Sequence, residues 1–219
     1  MCGRFVAAYD ADRLADDWDA RVSSSLPPVS WNIAPNTPIR VLAPDKHGAL
    51  WLTAAYWSLI PGWMRDGVPS FPTFNARIET ALDRPTFRDA ARNHRLIVPM
   101  SAYYEWDRYK RPYCFMARDK SVLWAAGLFA VSRSGRLSCT ILTREAAGAA
   151  ADVHDRMPVL LDRATAEWWM RPTPDPTGLL ADATDQGARM AGTLDSWPVA
   201  PLRGDGARLM EPMTEATLF

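Results

Sequence analysis

Short apolar runs rich in β-branched and aromatic residues dominate the middle of this 219-residue chain. The predicted strands are residues 39–42, 49–57, 95–99, 103–106, 113–117, 122–129, 137–142 and 157–161. Helical patterns are fewer and do not alternate regularly with the strands, which argues against a doubly wound parallel sheet. We therefore predict an α+β fold. Residues 1–219 would form a single domain, with mixed, largely antiparallel sheets curled into a barrel-like core and a few flanking helices.

The helices are predicted from apolar spacing and from the side chains that precede them. They are residues 10–20, 85–93, 162–169 and 178–191. Asp10, Thr86 and Asp162 are the expected N-caps, because short polar side chains accept hydrogen bonds from unpaired amides at a helix start. Leu14 and Trp18, four residues apart, should face inward from the first helix.

Charge and composition exclude several classes of protein. The formal net charge is zero and the isoelectric point is about 6.8, so no global field favours nucleic acid or membrane. Basic residues nevertheless outnumber acidic ones between Ile60 and Arg118. No apolar run approaches membrane-spanning length, and the N-terminus lacks the pattern of a signal peptide. We expect a monomer of the reducing cytoplasm, with no membrane contact.

The three cysteines, Cys2, Cys114 and Cys139, lie far apart with no CxxC spacing. This pattern indicates neither a disulfide framework nor a zinc site, and no metal or cofactor is predicted.

Cys2 has an unusual chemical position. Removal of Met1 would leave it with a free α-amine and a thiol on adjacent carbons. The amine condenses with an aldehyde to an imine, and the thiolate then closes a five-membered thiazolidine ring that an internal cysteine cannot form. The α-amine titrates near about 7.7–8.0, and a nearby Arg4 would lower the thiol pKa. Amidotransferases that attack glutamine and proteins that capture aldehydes both use such a residue. A cysteine that is second by chance is the remaining interpretation.

Other polar side chains suit chemistry but are weaker signals when taken alone. Asn75 and Arg77 share a face if the segment is extended, and together could hold an anionic, oxygen-rich ligand. Arg77 and Glu79 could instead form surface charge pairs. Glu105 lies among aromatic residues, as a general acid or base would, or lies on an edge strand with its charge in solvent. His154 enters a strand from a loop, where it is either structural or catalytic.

Six motifs, taken in order, closely resemble the SOS-response-associated peptidase (SRAP) family. They are residues 2–5 (CGRF), 31–35 (WNIAP), 57–63 (WSLIPGW), 75–80 (NARIET), 104–106 (YEW) and 154–158 (HDRMP). The resemblance covers roughly residues 2–165. It implies an SRAP-like domain that senses and shields abasic sites in single-stranded DNA, through a thiazolidine crosslink that protects the lesion during replication and repair.

The resemblance also implies roles for the residues in these motifs. Cys2 would be the nucleophile, and Asn75 would orient the opened sugar. Glu105 would be the acid/base that shuttles protons, and His154 a second proton donor for ring opening and for reversal of the crosslink.

DNA binding is implied for a second set of residues. Arg77 and Arg156 would contact phosphates, Trp63 would pack on a flanking base, and Arg4 would join this DNA-binding set. The partner would be abasic single-stranded DNA in a bacterial cytoplasm, with recruitment to the nucleoid after damage.

Departures from the family pattern and rival activities remain. Ser58 stands where the family has glycine, and residues 197–203 look shorter than the family's C-terminal segment, which puts closure of the far side of the DNA groove in doubt. Possible further activities are a thiol autopeptidase and an abasic-site lyase. A glutamine amidotransferase also begins Met-Cys-Gly, but has an isoleucine-type residue in place of Arg4.

Overall fold

The computed structural model describes residues 2–64 and 69–213 and has an α+β fold. The strands of this part of the chain are β1 (Arg4–Ala7), β2 (Arg21–Val22), β3 (Ser30–Ile33), β4 (Pro38–Pro44), β5 (Leu50–Trp57), β6 (Asn75–Arg77), β7 (Arg95–Met100), β8 (Ala102–Trp106), β9 (Pro112–Ala117), β10 (Leu123–Val131), β11 (Leu137–Glu145), β12 (Arg156–Pro158), β13 (Leu160–Leu161) and β14 (Leu194–Pro198). The helices are α1 (Ala11–Asp17), α2 (Arg88–Asn93), α3 (Arg163–Trp169) and α4 (Pro176–Ala191). None of these helices is long and apolar enough to cross a membrane.

Five strands close into a barrel. Strands β11, β10, β7, β4 and β5 pair in that order, each antiparallel to the next. Strand β5 then pairs in parallel with β11, where Tyr56 lies opposite Ser138 and Trp57 opposite Cys139. A closed ring leaves no unpaired edge along these strands. The barrel-like core and the α+β class predicted from the sequence are confirmed.

A second sheet of five antiparallel strands has the order β14-β9-β8-β1-β3. Side chains alternate between its two faces. Tyr103 of β8 belongs to the main core, together with Phe5, whereas its neighbour Tyr104 packs with Val6 and Cys114 in a separate buried cluster. Phe5 meets the buried Trp57 edge to face at 5.1 Å, which joins this sheet to the barrel.

The second half of β11 extends beyond the barrel pairing and holds two short strands. Residues 141–143 pair in parallel with β6, and residues 143–145 pair antiparallel with β12. Thr143 therefore lies between Arg77 on one side and Pro158 on the other. This arrangement brings two of the predicted motifs, 75–80 and 154–158, to the same end of one strand.

The helix caps were predicted with mixed success. Asp10 accepts hydrogen bonds from two first-turn amides of α1, and Asp162 accepts one at 2.7 Å in α3, so both caps are confirmed. The prediction of Thr86 as the cap of α2 is wrong. Phe87 occupies that position and its side chain cannot accept a hydrogen bond; the amides of Phe87 and Arg88 bond instead to the carbonyl of Arg84 in the preceding turn.

The last predicted strand, residues 157–161, is divided in two. Val159 lies between β12 and β13: its amide bonds to Leu142 of β11, and its carbonyl accepts from Ala126 of β10. The chain therefore passes from one barrel strand to the next at this residue.

Candidate active site

Cys2 lies immediately before β1, fully buried in the main core. Its thiol is 4.0 Å from the backbone carbonyl of Arg4, a weak hydrogen bond in which sulfur is the donor. The side-chain amide of Asn75 donates to the Cys2 carbonyl at 2.7 Å. Pairing of β6 with β11 thus brings together two predicted site residues that are 73 positions apart in sequence. Met1, whose removal would expose the Cys2 amine, lies outside the described residues.

The thiol environment differs from the one expected from the sequence. Burial raises the pKa of Cys2 well above its ordinary value, and the nearby charge of Glu105 raises this pKa further. Arg4 was expected to lower this pKa, and the contact of the thiol with the Arg4 backbone does act in that direction, but burial outweighs it. The Arg4 guanidinium donates to Asn32 Oδ1 at 2.8 Å, and the thiol contacts the Arg4 backbone instead. The resting thiol is therefore protonated.

Glu105 and His154 face each other beside Cys2. Glu105 is only 4% exposed on β8, and its Oε1 is 4.0 Å from Nε2 of His154. His154 Nδ1 accepts the backbone N–H of Arg156 at 2.9 Å, which places the proton of a neutral ring on Nε2, towards Glu105. Asp155 Oδ1 also lies 2.7 Å from Nδ1, a contact that would require a proton there. We favour the backbone bond, because the Asp155 side chain is 80% exposed and gains little from this contact.

A cavity of about 470 Å³ opens at this pair, and its lining is Glu105, Trp106, Lys110 and His154. Its volume is within the range of about 300–1,000 Å³ that is usual for small-ligand sites. Trp106 and Lys110 were not predicted as site residues. Lys110 reaches the cavity because it lies in the tight β8–β9 turn with a φ of 64°. In the sequence, the one feature that pointed to Lys110 was its position shortly after Glu105, in a hairpin with other basic residues.

The two predicted phosphate contacts have different surroundings. Arg156 is held by both carboxylate oxygens of Glu79 at 2.8 Å and donates to the Thr143 carbonyl at 2.6 Å. Burial of Glu79 works against its ionisation, but the hydrogen bonds from Arg156 prevail and hold the pKa of Glu79 below its ordinary value. Arg77 is exposed on β6, and Glu79 pairs with Arg156 rather than with Arg77.

Arg4 is connected to the C-terminal part of the chain. It donates to Asn32, whose amide nitrogen donates to the Gly204 carbonyl at 2.7 Å. The backbone N–H of Trp31 donates to Asp205 Oδ1 at 2.6 Å. Gly204 and Asp205, just after the segment that looked short in the sequence, therefore bond to β3, which pairs with the strand that follows Cys2.

Trp63 is not brought to the Cys2 cluster by any hydrogen bond or ring contact of residues 2–64 and 69–213. It lies in the loop after β5 and is 60% exposed. Two other aromatic side chains are similarly exposed, Phe71 at 50% and Tyr109 at 63%. Exposed aromatic rings of this size are available for stacking. Within the same described ranges, no group of three or more histidine, cysteine or acidic side chains could hold a metal ion.

The fold and these motifs define a protein class. The family model described as SOS response associated peptidase (SRAP) matches residues 1–202. The chain therefore belongs to the SRAP family, as the motifs in the sequence indicated.

Named relatives cover most of the chain. It is 30% identical over 216 residues to the abasic site processing protein YoqW of Bacillus subtilis, covering 90% of this chain and 95% of that protein. It is 27% identical to the abasic site processing protein YedK of Escherichia coli, covering 97% of this chain and 100% of YedK. The mouse abasic site processing protein HMCES is 26% identical over 151 residues, covering 51% of this chain and 43% of HMCES.

Solved structures show the same architecture. The crystal structure of a Bordetella bronchiseptica protein has a TM-score of 0.73 at 25% identity, covering 91% of this chain and all of that one. A Bacteroides thetaiotaomicron protein has a TM-score of 0.80 at 18% identity, covering 97% of this chain and all of that one, and this likeness shows the fold alone.

Proposed function

We propose that this protein captures abasic sites in single-stranded DNA by a covalent crosslink to Cys2, and so shields the lesion during replication and repair. The main supporting observation is the geometry around Cys2. Asn75 anchors its backbone at 2.7 Å, and the Glu105–His154 pair lies beside its buried thiol. The names of the relatives, which are abasic site processing proteins, point to the same substrate.

The first chemical step is opening of the sugar ring. An abasic sugar is mostly a closed hemiacetal, so a proton must leave the C1′ hydroxyl while another reaches the ring oxygen. Glu105 is suited to accept the first proton, and His154 Nε2 is suited to donate the second. The product is an aldehyde at C1′ and a hydroxyl at C4′, with no net change in atoms.

Imine formation follows, with the Cys2 amine as the first nucleophile. The amine adds to the aldehyde, and the resulting carbinolamine loses water. Because burial keeps the thiol protonated, sulfur is the poorer nucleophile at this stage. The thiol then adds to the imine carbon, its proton passes to nitrogen, and the thiazolidine ring closes. One water is lost overall.

Strand binding would use basic and aromatic side chains outside the lining of the cavity. Arg77 is exposed for a phosphate, and Arg4 is held next to Cys2 by Asn32. Trp63 offers a face to a flanking base, and base stacking is worth about 1–3 kcal/mol. Arg156 would have to exchange Glu79 for a phosphate.

A denaturing gel tests the proposal. The processed protein is incubated with a single-stranded oligonucleotide carrying one abasic site. The wild-type protein should give a slowly migrating, heat-stable band, and Cys2→Ala should give none. Cys2→Ser keeps the amine and should give at most a labile imine. Cys139→Ala, which removes a buried thiol far along the chain on β11, is the matched control and should crosslink like the wild type. An undiminished band with Cys2→Ala would refute the proposal.

A second activity, autopeptidase cleavage before Cys2, is favoured by the description of the matching family. A variant with a short peptide added before Cys2 tests it by intact mass. We expect Cys2 to remove the added peptide, and Glu105→Gln to retain more of it. Full retention in the wild-type background would exclude this activity.

A further inference from the structure

Tyr103 carries a buried hydroxyl that the steps above do not use. The residue is fully buried, and its hydroxyl has no hydrogen-bond partner in the described part of the protein. Its ring stacks on Phe115, with centroids 4.8 Å apart and planes inclined by 8°, so the side chain is held in place. A buried polar group without a partner is unfavourable and uncommon in folded proteins. The Tyr103 hydroxyl is therefore available to donate a hydrogen bond to a group that changes during the reaction.

The position of Tyr103 relates it to the reactive residues. It is two residues before Glu105 on β8, so both side chains lie on the same face of that sheet. It lies opposite Phe5 of β1 and belongs to the same buried cluster as Cys2. Tyr104, on the other face, donates its hydroxyl to the Trp31 carbonyl at 3.1 Å. Of these two adjacent phenols, the one on the Cys2 side is unpartnered.

The charges around Tyr103 keep its hydroxyl protonated. Burial raises the pKa of Tyr103 well above its ordinary value, and the charges of Cys2, Glu105 and Cys114 raise it further. His154 belongs to the same group of titratable side chains, since its Nε2 is 4.0 Å from Glu105 Oε1. A phenol in these surroundings remains a neutral O–H donor over the whole working range of pH.

The Cys2 sulfur loses its hydrogen-bond partner when it reacts. The protonated thiol donates to the Arg4 carbonyl, but a sulfur that gives up its proton can no longer donate to a carbonyl oxygen. Burial and the charge of Glu105 both disfavour the charge that develops on it. A nearby O–H donor would offset this cost.

We propose that Tyr103 is a positioning residue whose hydroxyl donates a hydrogen bond to the Cys2 sulfur as the thiazolidine ring closes. The inference rests on the proposed function. In this step the S–H bond breaks, the S–C bond forms, and the electron pair of the imine C=N bond moves to nitrogen, which receives the proton. Tyr103 keeps its own proton throughout.

Tyr103→Phe removes the hydroxyl and keeps the stacked ring. Loss of a hydrogen bond to a charged sulfur should slow crosslinking about tenfold at neutral pH. Because the lost bond favoured the ionised form, the thiol pKa rises and the pH–rate profile moves to higher pH. Deletion of an unpartnered hydroxyl should at the same time leave the thermal midpoint unchanged or raise it. A purely structural role for Tyr103 would instead lower that midpoint.

Tyr9→Phe is the matched control. Tyr9 is also a buried tyrosine, and its ring and hydroxyl lie against Arg40 rather than near Cys2. Its profile should coincide with that of the wild type. If wild type crosslinks and Tyr103→Phe shows the same profile, or a lower thermal midpoint with no shift in pH, the Tyr103 inference is overturned and the proposed function stands. If wild type forms no adduct, both are overturned.

Discussion

Glu105 is a carboxylate in surroundings that seldom hold a charged side chain. It is 4% exposed on a strand, it lies 4.0 Å from an imidazole nitrogen, and its charge influences both Cys2 and Tyr103. Buried carboxylates with charged or titratable neighbours are concentrated at functional sites. These surroundings are consistent with the proton transfers proposed for Glu105 above.

Glu105→Gln should slow crosslinking by about 100-fold, the lower end of what general acid–base catalysis contributes. The adduct should still form, because both nucleophilic groups of Cys2 remain. The measurement is a time course of adduct formation on denaturing gels. Asp107→Asn makes the same chemical change two residues along, in the turn where Asp107 pairs with Arg111, and should stay within about twofold of the wild-type rate. Equal rates for Glu105→Gln and wild type would remove Glu105 from the mechanism.

Substitutions at Arg77 and Glu79 should have opposite effects on the binding of single-stranded DNA that carries no abasic site. Arg77→Ala removes an exposed cation and should reduce the slope of log K against log salt by about 0.7, the value for one single-strand phosphate contact. Glu79→Gln leaves Arg156 with an uncompensated charge and should strengthen binding. Fluorescence anisotropy with intact single-stranded DNA over a range of salt concentrations measures both. An unchanged slope in Arg77→Ala would show that Arg77 contacts no phosphate.

At the level of secondary structure, the sequence predicts the barrel better than it predicts the site. Strands β7 and β10 are largely apolar runs, and their burial follows from composition. Strand β11 was predicted from its apolar residues, but it also buries Ser138, Thr140 and Thr143. Strand β6 has only three residues, two of them polar, and no local pattern marks it. It forms because residues 141–143 of β11 offer it a partner, which is a long-range effect.

The contacts that define the site are also long-range. Asn75 meets Cys2 across 73 residues, and Glu105 on β8 meets His154 in the loop before β12, a strand of the other sheet. Residue chemistry alone therefore left Asn75, Glu105 and His154 with competing structural interpretations. Only the ordered motifs indicated that they act together.

Gly127 of β10 should be intolerant of a side chain. An added Cβ would lie 2.6 Å from Leu96 Cδ1 on β7 and 2.9 Å from the Thr140 carbonyl on β11. Overpacking of this kind costs about 1–3 kcal/mol, so Gly127→Ala should lower the free energy of unfolding by that amount. Gly192→Ala, at a φ of −71° where an added Cβ would make only a van der Waals contact 3.4 Å from Arg189 O, is the control and should change it by less than about 0.5 kcal/mol. Urea denaturation of both variants decides the matter, and equal midpoints would contradict the tight barrel pairing.

On the scale of the whole molecule, a protein with no net charge buries the Cys2 thiol inside its main core. The closed barrel and the second sheet together bury all three cysteines. Gly204 and Asp205 accept hydrogen bonds from β3, which pairs with β1 next to Cys2. The folded state therefore depends on thiols that stay protonated.

Stability should fall at alkaline pH. Burial raises the pKa of Cys114 to about 12 and raises those of Cys2 and Cys139 well above the ordinary value of 9.0. The unfolded chain loses these protons first, so this contribution is complete below about pH 8.5 and declines above it. Each buried thiol lowers the free energy of unfolding by up to about 1.4 kcal/mol for each pH unit above this point. Urea denaturation between about pH 7 and pH 10 should show the free energy of unfolding decline. In Cys139→Ala this decline should be less steep, because one of the three buried thiols is gone. A free energy of unfolding that is flat across this range would contradict the burial of the thiols.

The most direct test of the account is the intact mass of the adduct with an abasic oligonucleotide, measured before and after treatment with borohydride. Capture by both groups of Cys2 predicts the mass of the protein without Met1 plus the DNA minus one water. Borohydride should not change this mass, because a thiazolidine has no C=N bond to reduce. A gain of two hydrogens would show an imine that never closes. The absence of any adduct, with Met1 shown to be removed, would contradict aldehyde capture by Cys2.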